Sequence, residues 1–252
     1  AERAELMNQA LAVFTAEHPN ITIVPNFSDY ADYWTKLNTE SAGGGAPDVL
    51  QMDFGYLREY GERGQLLDLD GLEQPIPVDD LLPGLRDAGV VNGERLAIAI
   101  SGNTWGMIYD PAAFQAAGVT VPEQWTWEEY GAAVTAVSRA TSPSGMFGAW
   151  DYTSIMGVFE IWQRQQGKAL FTQDGTVAAT KDDLTRFWQQ GVDLRAAGAF
   201  PPQDQVAQAL PVTVMGADLA ASTVNLDSGL TRYASETDRP LALGPIPSSN
   251  PD

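Results

Sequence analysis

The sequence predicts an α/β protein built as two lobes, and three observations carry that expectation. Helical and strand-like segments alternate along the first 110 residues, the pattern of a layered sheet with helices on its faces. After Tyr109 the alternation stops and the composition turns helical. The junction from Gly102 to Asp110 reads as a strand, not a Ser/Gly tether. Lobes joined through strands form a hinge with a cleft between them. The expected boundaries are 1–109 for the first lobe, 110–240 for the second, and 241–252 for a crossover strand returning to the first.

The elements follow from local chemistry. The opening segment, AERAELMNQALAVFTAEHPNI, is a helix with Leu6, Ala10, Val13 and Phe14 on one stripe, stopped at HPN. Ile21 to Val24 reads as a strand, and DYADYWTKLNTESAGGG as an amphipathic helix ended by glycines. Pro47 then sets an extended entry to the apolar run PDVLQM, a short buried strand with Asp53 and Phe54 at its C-terminal end. YLREYGERGQLLDL is a helix with turns, Gly93 to Ile100 a turn and strand, and Thr104 to Asp110 a further strand.

In the second half, DPAAFQAAGV is a helix with Pro111 in its first turn and Gly118 just past its end. Thr126 and Glu129 make the sequence signature of a capping box for the helix that follows. SIMGVFEIWQRQQG is a helix, and another starts at Thr180 and Asp183 and ends at Gly198. Ala217 to Asn225 alternates like a strand, and RPLALGPIP reads as a strand leading out.

Composition removes whole classes of function. Among 252 residues there are 33 acidic and 14 basic ones, a net charge of −19. Nucleic acid and anionic lipid both need a basic face, so neither is an expected partner. The absence of cysteine rules out disulfides and thiolate metal sites. His18, the single histidine, sits in a helix stop, which leaves no Ser-His-Asp triad and no transition-metal cluster. The glycines at 43–45 lack the Lys-Ser/Thr of a phosphate loop. No stretch approaches the about 20 apolar residues of a membrane span, and no signal peptide is visible.

Several segments, in this order, resemble the extracellular solute-binding proteins of ABC importers, in the carbohydrate-uptake branch of family 1 type. DYWTKLNTESAGGGAPDVLQMD is similar to the family block Y-x-x-K-L-x-T-x-x-A-x-G-x-x-P-D-V. YLREYGERGQLLDLD is similar to the helix and G-x-L-x-x-L-D that follow it. NGERLAIAISGNTWGMIYDPAAFQAAGVTVPEQWTWEEYGAAV resembles the long central block, and FEIWQRQQGKALFTQDGTV and MGADLAASTVNL resemble later ones. The resemblance covers nearly the whole chain. It implies the periplasmic-binding-protein-like fold (type II) with an interlobe ligand cleft, incomplete at both ends because the family's first strand and its later return to the first lobe are not in this sequence. It also departs at Asp110, where the family usually carries Asn.

What the resemblance implies is capture of a carbohydrate by hinge closure and its delivery to an ABC permease. The protein would be monomeric and extracytoplasmic, either periplasmic or held as a lipoprotein on the outer face of the membrane. No cofactor, no metal and no chemistry on the ligand are implied. Candidate ligand contacts are Asp53 and Phe54 in the first lobe, Asn103 and Thr104 at the crossover, and Trp150, Asp151, Tyr152, Trp162 and Asn225 in the second. Indole rings suit sugar C–H faces, and carboxylates and amides suit hydroxyls.

Each candidate has a structural alternative. Asp53 suits a helix N-cap, Asn103 and Thr104 a plain turn, Asn225 a strand end, and any tryptophan the core. Trp127 in the capping box reads as structural, and Trp188 in mid-helix as core. Two other functions remain open. An acidic, aromatic site also suits a polyamine or quaternary amine by cation–π contact. Asp53 and Asp151 could instead be the carboxylate pair of a carbohydrate-active enzyme, which needs them about 5–9.5 Å apart.

Overall fold

A computed structural model describes residues 2–74, 76–172 and 175–250. The chain divides into two compact units, Ala1–Gly102 and Asn103–Asp252.

The first unit is mainly helical. It contains α1 (Glu2–Glu17), α2 (Tyr30–Ala42), α3 (Phe54–Glu62), α4 (Pro83–Ala88) and the short strands β1 (Val90–Val91) and β2 (Glu94–Arg95). β1 and β2 pair antiparallel around Asn92 and Gly93, both at positive φ. Asn-Gly is the sequence that a two-residue primed turn favours. The core is small: Trp34, Leu37 and Tyr60 form one cluster, and Leu57, Val91 and Leu96 another, with Met52 and Leu66 packed against both. Tyr33 Oη donates to the Gln51 carbonyl at 2.7 Å and ties the 46–52 segment to α2.

Two expected strands of this unit are absent. Ile21–Val24 and the PDVLQM segment are irregular. A strand exists by pairing its backbone with a neighbour, and no neighbouring strand stands beside either segment among the described residues. The helix α1 does form, but Leu6 and Val13 of its apolar stripe are exposed.

The second unit is layered. β3 (Trp105–Tyr109) is the middle strand of a three-stranded antiparallel sheet, with β4 (Ser222–Leu226) on one side and β5 (Ala242–Gly244) on the other. The segment 147–150 runs parallel to β4, through Ala221 N–H to the Phe147 carbonyl at 2.8 Å and Trp150 N–H to the Ser222 carbonyl at 2.9 Å. Helices α5 (Pro111–Ala116), α6 (Trp127–Thr141), α7 (Met156–Arg164), α8 (Lys181–Ala196), α9 (Gln203–Ala209) and α10 (Leu230–Ser235) cover the sheet. Alternation along β3 sends Met107 into the main core with Val224, Tyr130 and Phe159, and Ile108 into a second cluster with Met215 and Tyr233. Both faces are therefore dry.

This pairing moves the boundaries away from those the sequence suggests. The strand expected to close the first lobe, Trp105–Tyr109, sits in the second unit because both its edges are hydrogen-bonded there. Residues 241–252, expected to return to the first lobe, also belong to the second unit. Ser248 N–H donates to the Trp125 carbonyl at 2.9 Å, and Gln165 Nε2 to the Pro247 carbonyl at 2.8 Å.

The helix starts follow the sequence closely. Thr126 and Glu129 cap each other, with Thr126 N–H donating to Glu129 Oε2 at 2.7 Å. Asp110 caps α5, accepting from Ala112 N–H at 2.9 Å, and takes Arg239 Nη1 at 3.0 Å. An asparagine there would keep the cap but lose the ion pair. Trp127 is buried and structural, as read from the sequence, its Nε1 donating to Gln165 Oε1. Trp188 is 52% exposed, not core. The buried positions of α8 are Asp183, Phe187 and Gly191, a four-residue spacing that turns Trp188 outward by about 100°.

Asp183 joins three parts of the second unit. It completes a capping box with Thr180 and takes both Lys168 and Arg186, although its own side chain is nearly inaccessible. The Lys168 ammonium, then the Thr180 hydroxyl, hold its carboxyl well below the usual 3.8. A depressed folded-state pKa stabilises above the unfolded value and is lost as pH falls toward the folded one. The gap in thermal midpoint between the wild type and Asp183→Asn is therefore constant from about pH 5 to 7 and narrows below about pH 4. Melting curves across that range check this, and a gap unchanged down to pH 3 contradicts it.

Candidate functional site

In the second unit the site is built at one edge of the sheet. The C-terminal end of β4 and the N-terminal end of β3 meet there, because the two strands are antiparallel. Asp227 closes the ladder. Its N–H donates to the Thr104 carbonyl at 2.8 Å, and its Oδ1 accepts from Thr104 N–H at 3.1 Å. Asn103 and Thr104 are held in place by this clasp, with both side chains exposed. Beside them the half-buried Trp105 ring lies against Gly157 so closely that a Cβ there would be 2.5 Å from its Cζ2. The helix α7 begins at this point without a side-chain cap from Ile155; Val158 N–H already donates to the Ile155 carbonyl at 3.1 Å, so the open donors of its first turn are the amides of Met156 and Gly157. Exposed amide and hydroxyl groups, a half-buried indole and backbone N–H groups thus share one edge.

The remaining candidates of the second unit divide. Trp150 is half-buried and packs against the cluster around Tyr233. Asn225 reaches the same cluster: its Nδ2 donates to Tyr233 Oη at 3.0 Å and its Oδ1 accepts from Leu226 N–H at 2.8 Å.

Three candidates are structural in this arrangement. Asp151 is buried, caps the 3-10 turn Tyr152–Ser154 by accepting from Thr153 N–H at 2.9 Å, and pairs with Arg195. Both its oxygens are in use. Tyr152 is 1% exposed among Trp127, Tyr130, Phe187 and Phe200, and burial pushes its hydroxyl pKa far up. Trp162 is 8% exposed, packed on Phe159 and Phe187 with Arg186 5.8 Å from its ring centroid. No face of these two rings is open to a sugar.

The first unit holds a second cluster. Asp53 is the N-cap of α3, its Oδ1 accepting from Gly55 N–H at 2.8 Å, and the following Phe54 is 72% exposed. The exposed Tyr30 stands close by. Partial burial, then the Asp53 charge, raises its phenol pKa. Behind it Trp34 stacks on Tyr56 at 3.9 Å and meets Tyr30 edge-on at 5.9 Å. A carboxylate with one oxygen committed to a cap thus lies near the exposed Tyr30 and directly before the exposed Phe54.

Sequence reasoning passed over Tyr30, Trp34, Trp105 and Asp227. The i, i+4 spacing of Tyr30 and Trp34 puts both on one helix face and could have signalled the aromatic cluster. Nothing local links Asp227 to Thr104.

A profile of the bacterial extracellular solute-binding protein family matches residues 1–234. The chain belongs to that family. A mannitol-binding protein of Pseudomonas aeruginosa is 30% identical over 134 residues, covering 53% of this chain and 31% of that protein. Among solved structures, a family 1 extracellular solute-binding protein of Alicyclobacillus acidocaldarius is similar at 28% identity and a TM-score of 0.73, over 98% of this chain and 63% of that one. An ABC substrate-binding protein of Listeria monocytogenes, solved with cycloalternan, is similar at 20% identity and a TM-score of 0.82, over 97% and 63% of the two chains. The chain thus spans about a third of the curated relative's length and just under two thirds of these structures. The solute-binding protein has the α/β fold of the type II periplasmic binding proteins, as the sequence resemblance implies. No helix among its described residues is long and apolar enough to cross a membrane, and none of their His, Asp and Glu side chains group to hold a metal ion.

The cap role of Asp53 makes a separable prediction for the family member's stability. In urea unfolding, Asp53→Ala costs about 1 kcal/mol, whereas Asp53→Asn, itself a good N-cap, costs almost nothing. Equal losses in the two variants contradict the cap.

Proposed function

We propose that this protein is the carbohydrate-capturing component of an ABC importer, holding its ligand by closure of its two lobes. The observation that carries this reading is the Asp53 carboxylate at the start of α3, near the exposed Tyr30 and directly followed by the exposed Phe54. Sugars offer apolar C–H faces ringed by hydroxyls, and aromatic faces beside a charged acceptor match both. The edge formed by Asn103, Thr104, Trp105 and the start of α7 adds amide, hydroxyl, indole and backbone donors. Names among its relatives, mannitol-binding and cycloalternan-bound, support the ligand class.

The mechanism follows from differential affinity. A ligand that touches both lobes binds the closed state better and shifts the population toward it. The permease then reads closure, and the ligand leaves chemically unchanged. Capture takes place outside the cytoplasmic membrane, by a monomer in the periplasm or anchored as a lipoprotein. A glycosidase reading is disfavoured because Asp151, needed as the second carboxylate, is buried and bound to Arg195. An amine ligand is the second reading, since a carboxylate near an exposed aromatic ring also suits a quaternary ammonium.

A thermal-shift screen of the full-length protein against neutral sugars, polyols, sugar acids and polyamines tests the proposal. A ligand at 100 times its dissociation constant adds about 2.7 kcal/mol of stability. The expected result is a raised midpoint with a carbohydrate, reduced in Asp53→Asn. Shifts with polyamines alone, or with nothing, contradict it.

A further inference from the structure

We infer that Trp105 is the ring on which the second unit seats its ligand, and that Gly157 is the residue that positions this ring. The inference rests on the carbohydrate reading above and gives it a contact and that contact's support. The observation is how closely the two residues meet. A Cβ on Gly157 would stand 2.5 Å from Cζ2 of the indole, 3.1 Å from Cη2 and 3.2 Å from Cε2. Nothing in the backbone calls for glycine at this position. Gly157 is the second residue of α7 and has no positive φ, and alanine is the better helix former. What the missing side chain accommodates is the ring.

The indole is held from its backbone outward. Trp105 pairs with Leu226 of β4, and Asp227 clasps the preceding Thr104. The side chain packs against the main core, yet the residue is only half-buried. Asn103 and Thr104 on one side, and Met156 before Gly157 on the other, are exposed. A fixed aromatic ring thus stands beside an amide and a hydroxyl. Such a ring takes a sugar's C–H face with little loss of side-chain freedom, and its polar neighbours can pair with the sugar's hydroxyls. A shallow depression of about 540 Å³ around Lys168 and Arg186 offers no such seat. No aromatic residue lines it, and Asp183 takes both cations.

Calorimetric titration of the full-length protein with maltose, cellobiose and mannitol, and of its variants with whichever binds most tightly, tests this. Trp105→Ala is expected to weaken binding at least about thirtyfold, and Gly157→Ala about tenfold, by displacing the ring. Trp105→Phe supplies the rescue, because a phenyl ring does not reach the Cζ2 and Cη2 positions. On that background, adding Gly157→Ala changes affinity by less than about twofold, the non-additivity of residues in contact. Melting curves of each variant separate lost binding from lost folding. In protein labelled with 5-fluorotryptophan, the resonance that disappears in Trp105→Phe shifts as the sugar is added, which a purely structural ring would not show. Unchanged binding in Trp105→Ala, a Gly157→Ala loss equal on both backgrounds, or a Trp105 resonance that stays still overturns the inference and leaves the carbohydrate reading standing. If none of the three carbohydrates binds the wild type, the carbohydrate reading fails and the inference with it.

Discussion

The second unit hangs on β3. All five of its residues pair with β4 and the last three also with β5, and Met107 and Ile108 are fully buried on opposite faces. Everything that positions the candidate edge is registered to it. Its N-terminal end fixes Thr104, which Asp227 clasps across from β4. Its C-terminal end delivers Asp110 to cap α5 and to meet Arg239. A one-residue slip would exchange the two faces of the strand, sending Ile108 into the space of Met107 and breaking the clasp. The segment 147–150 then extends the sheet beyond β4, pressed so tightly on α6 that a Cβ at Gly148 would run into the Val134 carbonyl.

Carboxylates do double duty in this acidic chain. Asp53, Asp110, Asp151 and Asp183 each accept backbone amides at the start of a helix or turn, and the last three also hold an arginine. Among the described bonds, Asp53 alone of the four has no arginine or lysine partner, and it stands near the exposed Tyr30 and next in sequence to the exposed Phe54. A capping aspartate is rigidly placed, so it can receive a ligand without first losing side-chain freedom, the kind of preorganisation binding rewards. The remaining capping carboxylates hold the scaffold together.

What was legible in the sequence was chemistry that acts over three or four residues. The capping boxes at Thr126 and Thr180, the Pro111 start and the glycine at 118 all stand where local rules put them. What was not legible depended on distant partners. Arg195 lies 44 residues from Asp151, so an aspartate at an apparent strand end gave no sign that it was already spent. Trp162 and Trp188 both sit in helices, and only the packing of α7 against α8 decides that the first is buried and the second exposed. Ile21–Val24 has the composition of a strand, but composition cannot supply a pairing neighbour. The family resemblance implied the right fold, whereas the division between units shifted because the pairing of β3, not its place in the chain, assigns it.

Amide hydrogen exchange of the full-length protein, with and without a carbohydrate that raises its melting point, tests the central claim most directly. The account predicts slowed exchange at 103–105, 155–158 and 225–229 in the second unit and at 30–34 and 53–56 in the first. Protection confined to the depression around Lys168 and Arg186, or to neither set of segments, would contradict it.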